Sequence, residues 1–149
     1  MGDLTIRAVL SYAIEKEIEA QQRYTQMAEK AENEATKSLF LRLANMEKNH
    51  EEKLRSMSEK DIAGYHLENV PDMHVSEKIG KREFSPDMKI IDALALAIKA
   101  EEKAINLYLD AARELPEGDD KKVFAVLAQE EKQHKLDLEN EYRQIKTEC

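Results

Sequence analysis

The sequence predicts an all-α protein: a four-helix bundle built from two antiparallel helical hairpins joined by a long crossover. Three observations carry this. Apolar residues recur in steps of 3 and 4 along four long segments. Only 4 Gly and 3 Pro occur in 149 residues, so little interrupts those segments. Two stretches also repeat at one offset of 84 residues. Ala13–Tyr24 (AIEKEIEAQQRY) matches Ala97–Tyr108 (AIKAEEKAINLY), and Leu43–His50 (LANMEKNH) matches Leu127–His134 (LAQEEKQH).

The first helix is expected over about residues 4–32. Its inward stripe is Ile6, Leu10, Ala13, Glu17, Ala20, Tyr24, Met27 and Ala31, a seam of the kind that lines helical bundles. The second, over about 36–60, carries Phe40, Leu43, Glu47, His50, Leu54 and Met57. The third, over about 87–115, carries Ile90, Leu94, Ala97, Glu101, Ala104, Tyr108, Ala111 and Leu115. The fourth, over about 119–146, carries Phe124, Leu127, Glu131, His134 and Leu138. Short joints at residues 33–35 and 115–118 make each consecutive pair a hairpin. The crossover, residues 61–86, is long because of what it must span. A helix of about 25 residues is about 38 Å long, and a similar number of extended residues reaches about twice that. Val70, Met73, Val75, Ile79 and Phe84 are expected to tack it to the bundle, with a short helix among them.

The whole chain, residues 1–149, is read as one domain, large enough to bury about 68–70% of its unfolded surface. The net charge of -8 argues against a nucleic-acid surface, which needs a basic stripe. No apolar run approaches the ~18–20 residues of a membrane span. Met1-Gly2-Asp3-Leu4 does not read as a signal peptide. The one cysteine, Cys149, is read as a free thiol at the chain end, and a cytoplasmic location is expected.

The seam positions should be apolar, yet Glu17, Glu47, Glu101 and Glu131 fall on them near mid-helix. His50 and His134 follow Glu47 and Glu131 by three residues, so each pair shares a helical face. Four buried carboxylates would repel and lose several kcal/mol each on desolvation. Two divalent cations cancel that charge. One Glu from each of two helices, with Glu-x-x-His from each of the others, is the ligand set of di-iron and di-manganese bundles. A duplication that served packing alone would keep Leu, Ala and Phe and have no need of the polar residues. Imidazole with carboxylate oxygen suits iron or manganese, with zinc a further candidate. His66 and His74 lie in the crossover and are read as exposed. The runs Glu51-Glu52-Lys53 and Glu117-Gly118-Asp119-Asp120 are read as solvated faces or helix starts.

On these residues the chain resembles the rubrerythrin branch of the ferritin-like di-iron carboxylate superfamily. The family's Glu-x-x-Ala-x-x-x-Tyr motif is matched by Glu17, Ala20 and Tyr24, and again by Glu101, Ala104 and Tyr108. Its Glu-x-x-His motif is matched by Glu47 and His50 and by Glu131 and His134. The resemblance implies a ferritin-like bundle holding two iron ions. Glu47 and Glu131 would bridge or chelate them, Glu17 and Glu101 would be terminal or chelating, and each histidine would bind one ion. Tyr24 and Tyr108 would hydrogen-bond ligand carboxylates from behind. Two departures qualify it. The paired Cys-x-x-Cys motifs of the rubredoxin domain are absent, and Ala104 stands where the family tends to carry an extra glutamate.

The implied function is reduction of hydrogen peroxide or dioxygen, with electrons from an external donor protein such as a rubredoxin, by a homodimer. The alternatives are a ferroxidase that handles iron, and a non-catalytic metal-binding bundle.

Overall fold

The computed structural model describes residues 6–148. The expected helix start at Leu4 and the thiol of Cys149 lie outside the described residues. Four long helices form the bundle: α1 (Ile6–Lys30), α2 (Glu34–Ser56), α5 (Ile90–Arg113) and α6 (Asp119–Glu148). Two short ones, α3 (Glu59–Ala63) and α4 (Val75–Lys78), lie in the crossover. Helix α1 packs along α2 and α5 along α6; contacts of α1 with α6 and of α2 with α5 join the hairpins. This is the ferritin-like, all-helical arrangement expected from the seam pattern.

The first joint is tighter than expected, because Glu34 and Ala35 already belong to α2. Asn33 caps that helix, its side chain accepting from the Thr36 N–H at 3.1 Å. The second joint turns at Gly118, whose φ of +154° is open almost only to glycine. Helix α2 ends at Ser56, short of the expected residue 60. Met57 is extended, and Ser58 starts α3 with a reciprocal capping box to Asp61. That local side-chain pairing offers the backbone a new start and stops the older helix. Helix α5 likewise begins at Ile90 rather than 87, after a turn in which the Met88 N–H bonds Ser85 O.

The crossover is held by both apolar and polar contacts. Val75 and Ile79 are buried, and Met73 and Phe84 pack on the same core. Glu139 of α6, fully buried, accepts from the Val75 N–H at 3.0 Å and the Met73 N–H at 3.3 Å. Lys135 lies 3.5 Å from Glu139 and 2.7 Å from Asp72 of the crossover.

The apolar core comes in two parts. One gathers Ile6, Leu10, Leu54, Tyr108, Phe124 and Leu127. The other gathers Tyr24, Phe40, Leu43, Leu94, Ile98 and Tyr142. Along every long helix the seam glutamate falls between residues of the two parts. The charged layer therefore crosses the middle of the bundle.

Candidate metal centre

Each ligand candidate is carried to the centre by the helical period that places its apolar neighbours in the core. Glu17, Glu47, Glu101 and Glu131 are each only 3% exposed, and His50 is 4%. Three overlapping groups have ligand atoms mutually within 4.8 Å: Glu17, Glu47 and His50; Glu47, Glu101 and His134; His50, Glu131 and His134. All six residues singled out in the sequence are thus brought together. Glu47 groups both with Glu17 and His50 and with Glu101 and His134. Glu131 sits between the histidines, 3.4 Å from His50 Nδ1 and 3.6 Å from His134 Nδ1. The two imidazoles meet edge to face, with centroids 4.9 Å apart at 79°.

The polar atoms of this cluster are poorly satisfied. Among the described residues, the buried side-chain atoms lacking a hydrogen-bond partner are Glu17 Oε2, Glu47 Oε1, both His50 ring nitrogens, Glu101 Oε2 and His134 Nδ1. Every one lies on a predicted ligand. His50 Nδ1 is 2.9 Å from Glu17 Oε1, close enough to attract but not aligned as a hydrogen bond. Buried polar atoms are normally paired, because leaving one unpaired costs about 1–3 kcal/mol. Carboxylate oxygens and imidazole nitrogens left open toward one another are what a pair of hard or borderline divalent ions requires. The donor set fits.

Electrostatics shows the same strain. Burial, then the neighbouring carboxylates of Glu47 and Glu131, pushes the Glu17 pKa far above the carboxylate range. Burial and the charge of Glu131 raise Glu101 likewise. Burial would raise Glu131 too, but its close contacts with Glu101, His134 and His50 outweigh that and hold it well below the usual value. Burial lowers His50, but contact with Glu131 outweighs it, leaving its pKa raised. Without cations, the cluster resolves its repulsion by holding protons.

Tyr24 and Tyr108 are both buried beside this layer. Tyr24 stacks on Phe40 at 6.2 Å, and Tyr108 faces Phe124 at 6.3 Å. Burial raises both pKa values, and the next cause is carboxylate charge, from Glu101 at Tyr24 and from Glu131 at Tyr108. Their repeat symmetry therefore persists in space. Ala20 and Ala104 line a groove of about 720 Å³ between α1 and α5 that reaches Glu17, Glu47, Glu101 and Glu131. Its outer lining includes Lys16, Arg23, Lys103, Glu19 and Asp110.

Sequence reasoning missed a group behind His50. Glu130 Oε1 lies 3.6 Å from His50 Nε2 and accepts from Lys53 Nζ at 2.7 Å; the Tyr65 hydroxyl donates to its other oxygen. Burial would raise the Glu130 carboxyl, but Lys53 and Tyr65 outweigh it and keep it lowered. The available signal was a break in the repeat, Glu130 standing where the first copy has Met46. Glu51 also departs from expectation. It is buried rather than solvated, hydrogen-bonded by Gln21 at 2.8 Å and Arg55 at 2.7 Å. His66 and His74 are exposed, as read, and His74 pairs with Glu77 at 2.8 Å.

An all-helical bundle with a buried carboxylate–imidazole cluster defines the class: a ferritin-like protein with groups able to hold metal. More narrowly, the rubrerythrin family model matches residues 8–142, and the chain belongs to the rubrerythrin family. A solved structure of a hypothetical protein from Pyrococcus furiosus is similar at 33% identity, covering 96% of this chain and 91% of that one with a TM-score of 0.50. No curated protein matches the chain.

Proposed function

We propose that the chain is a di-iron carboxylate oxidoreductase that reduces hydrogen peroxide or dioxygen with electrons from an external donor. The observation that carries this is the set of unpartnered buried atoms, all of them on Glu17, Glu47, His50, Glu101 and His134. Glu17 and His50 would hold one ion, Glu101 and His134 the other, with Glu47 and Glu131 available to both. Such an iron pair supplies two electrons and Lewis acidity beside a bound oxidant.

The protein's own residues do the rest. The two apolar parts of the core exclude water above and below the charged layer. The groove between α1 and α5 admits a small molecule, being far larger than the ~30 Å³ share of a water. Its outer lining carries charges of both signs, Lys16, Arg23 and Lys103 with Glu19 and Asp110, above the four carboxylates of the layer. Ala20 and Ala104 keep the groove clear at the ligand layer. Tyr24 and Tyr108 steady ligand carboxylates from their buried places. We take the electrons to come from an external donor protein such as a rubredoxin. We take the working unit to be a cytoplasmic homodimer. No described helix is long and apolar enough to cross a membrane.

Anaerobic loading with Fe(II), then stopped-flow mixing with H2O2 and separately with O2, tests the reaction. Two irons oxidised per peroxide, faster than with O2, is the expected result. Equal peroxide turnover by metal-free protein would sink the proposal. Iron oxidation by O2 with growth of a mineral core would move it to iron handling.

A further inference from the structure

The two histidines are matched in sequence but not in surroundings. His50 presents Nδ1 to Glu17 at 2.9 Å and Glu131 at 3.4 Å, and Nε2 to Glu130 at 3.6 Å. A neutral imidazole offers a ligand lone pair on one nitrogen and carries its proton on the other. Which is which is set by what the second nitrogen faces. A carboxylate behind a histidine favours the proton on that side and frees the opposite nitrogen for metal. Glu130 is itself fixed from two directions, by Lys53 of α2 and by Tyr65 just past α3.

Among the described residues, no carboxylate pairs with His134 Nε2 in this way. Met46 stands at the position related to Glu130, and Asp137 at that related to Lys53. His134 Nδ1 lies farther from its own carboxylates, 3.6 Å from Glu131 and 3.9 Å from Glu101. Its side chain is 15% exposed where that of His50 is 3%.

We propose that Glu130, braced by Lys53 and Tyr65, is a positioning residue that makes the His50 half-site the tighter and first-filled of two unequal metal positions. This rests on the reading of the six residues as ligands. The repeat supplies two sets of ligands, and the break in the repeat ranks them. An ordered filling gives the protein a stable one-ion state before the second ion arrives at the more open His134 side.

The test is a Co(II) titration of the full chain, followed by visible absorption. The wild type should take up two ions per chain in two resolved steps. Glu130→Met, which copies the first repeat into the second, should weaken the first step about 10–100-fold and leave the second in place. Glu130→Gln, which keeps the shape and an acceptor oxygen, should recover part of that loss. Tyr65→Phe, at a half-exposed crossover residue, should move the first step in the same direction by less, and it guards against misfolding of the Glu130 variants. Two ions bound with unchanged steps in Glu130→Met and Tyr65→Phe overturn the proposal and leave the ligand reading standing. Equal weakening of both steps overturns it as well. Fewer than two ions per chain in the wild type overturns the ligand reading, and this proposal with it.

Discussion

The two copies of the repeat agree at the six seam residues that meet in one layer and differ at the positions just beside them. Glu17 and Glu101, Glu47 and Glu131, and His50 and His134 are identical in type and converge in one buried layer. One residue beyond each histidine the pattern inverts. The first copy places Glu51 with Arg55, and the second places Lys135 with Glu139. Both are i,i+4 ion pairs with the signs exchanged. The reason lies in the crossover, which docks on the second hairpin, where Glu139 accepts two of its backbone N–H groups. On the first hairpin the crossover rests elsewhere, Phe84 against Phe40 and Pro86 O accepting from the Glu32 N–H, and the Glu51–Arg55 pair reaches only Gln21. What stays symmetric is therefore the layer that needs symmetry for chemistry. What diverges is the surface that must hold one copy to the other.

The largest effect is expected at Glu47, which is proposed to serve both ions. Glu47→Ala should abolish uptake of both ions, while Glu17→Ala should leave one bound near His134; metal analysis of the purified variants separates the two outcomes. Equal loss in both variants would mean that the ligands are not divided between half-sites.

The inverted ion pairs should differ in weight. Glu139→Ala removes the acceptor of two backbone N–H groups and leaves Lys135 without a buried partner, a loss of about 3–5 kcal/mol. Arg55→Met removes an exposed arm and should cost about 0–1 kcal/mol. Urea unfolding of the metal-free proteins measures both, and equal losses would contradict the crossover account.

Metal and pH sharpen the same contrast between ligand layer and scaffold. Glu17 and Glu101 have raised folded pKa values. Their stabilising contribution is full below the ordinary carboxylate value of 4.5 and fades as pH rises toward the folded values. His50, also raised, adds a contribution present below 6.5 and lost as pH climbs through its folded value. Glu131, held low, has the opposite sign: its contribution is present above 4.5 and is lost only in acid. Above pH 5 the lowered carboxylates, Glu131 and Glu130, are already ionised and add no further change. The melting temperature of the metal-free protein should therefore fall between about pH 5 and 8. With Mn(II) present it should rise over that range, because the ligands must be deprotonated to bind. Parallel curves would contradict the metal reading.

The smallest effects belong to the tyrosines. Tyr24→Phe and Tyr108→Phe should each cost about 0.5–1.5 kcal/mol in the metal-loaded protein. Thermal melts of loaded and metal-free samples show whether that loss depends on metal, as a hydroxyl steadying a ligand requires.

Much of this was legible in the sequence because charge on an apolar seam is a conflict, and the conflict recurs at 84 residues. Four helices, their pairing and the six clustered residues all follow from that pattern. The end of α2 was not legible. Met57 continues the seam, and only the Ser58–Asp61 capping box, a short-range bond pattern, overrides it. Glu130 and Glu139 sit one position off the seam, where periodicity singles out nothing. Their partners Tyr65, Val75 and Met73 arrive from the crossover more than 60 residues away in sequence. Periodicity reports which face of a helix is buried. It does not report which loop returns to cover the edge of that face.

The repeat is proposed to hold two ions in one layer. Anomalous diffraction from crystals loaded anaerobically with Fe(II) tests it most directly. The account expects two peaks per chain among Glu17, Glu47, His50, Glu101, Glu131 and His134, with Glu47 and Glu131 reaching both. A single peak, or peaks bound away from these residues, would contradict it.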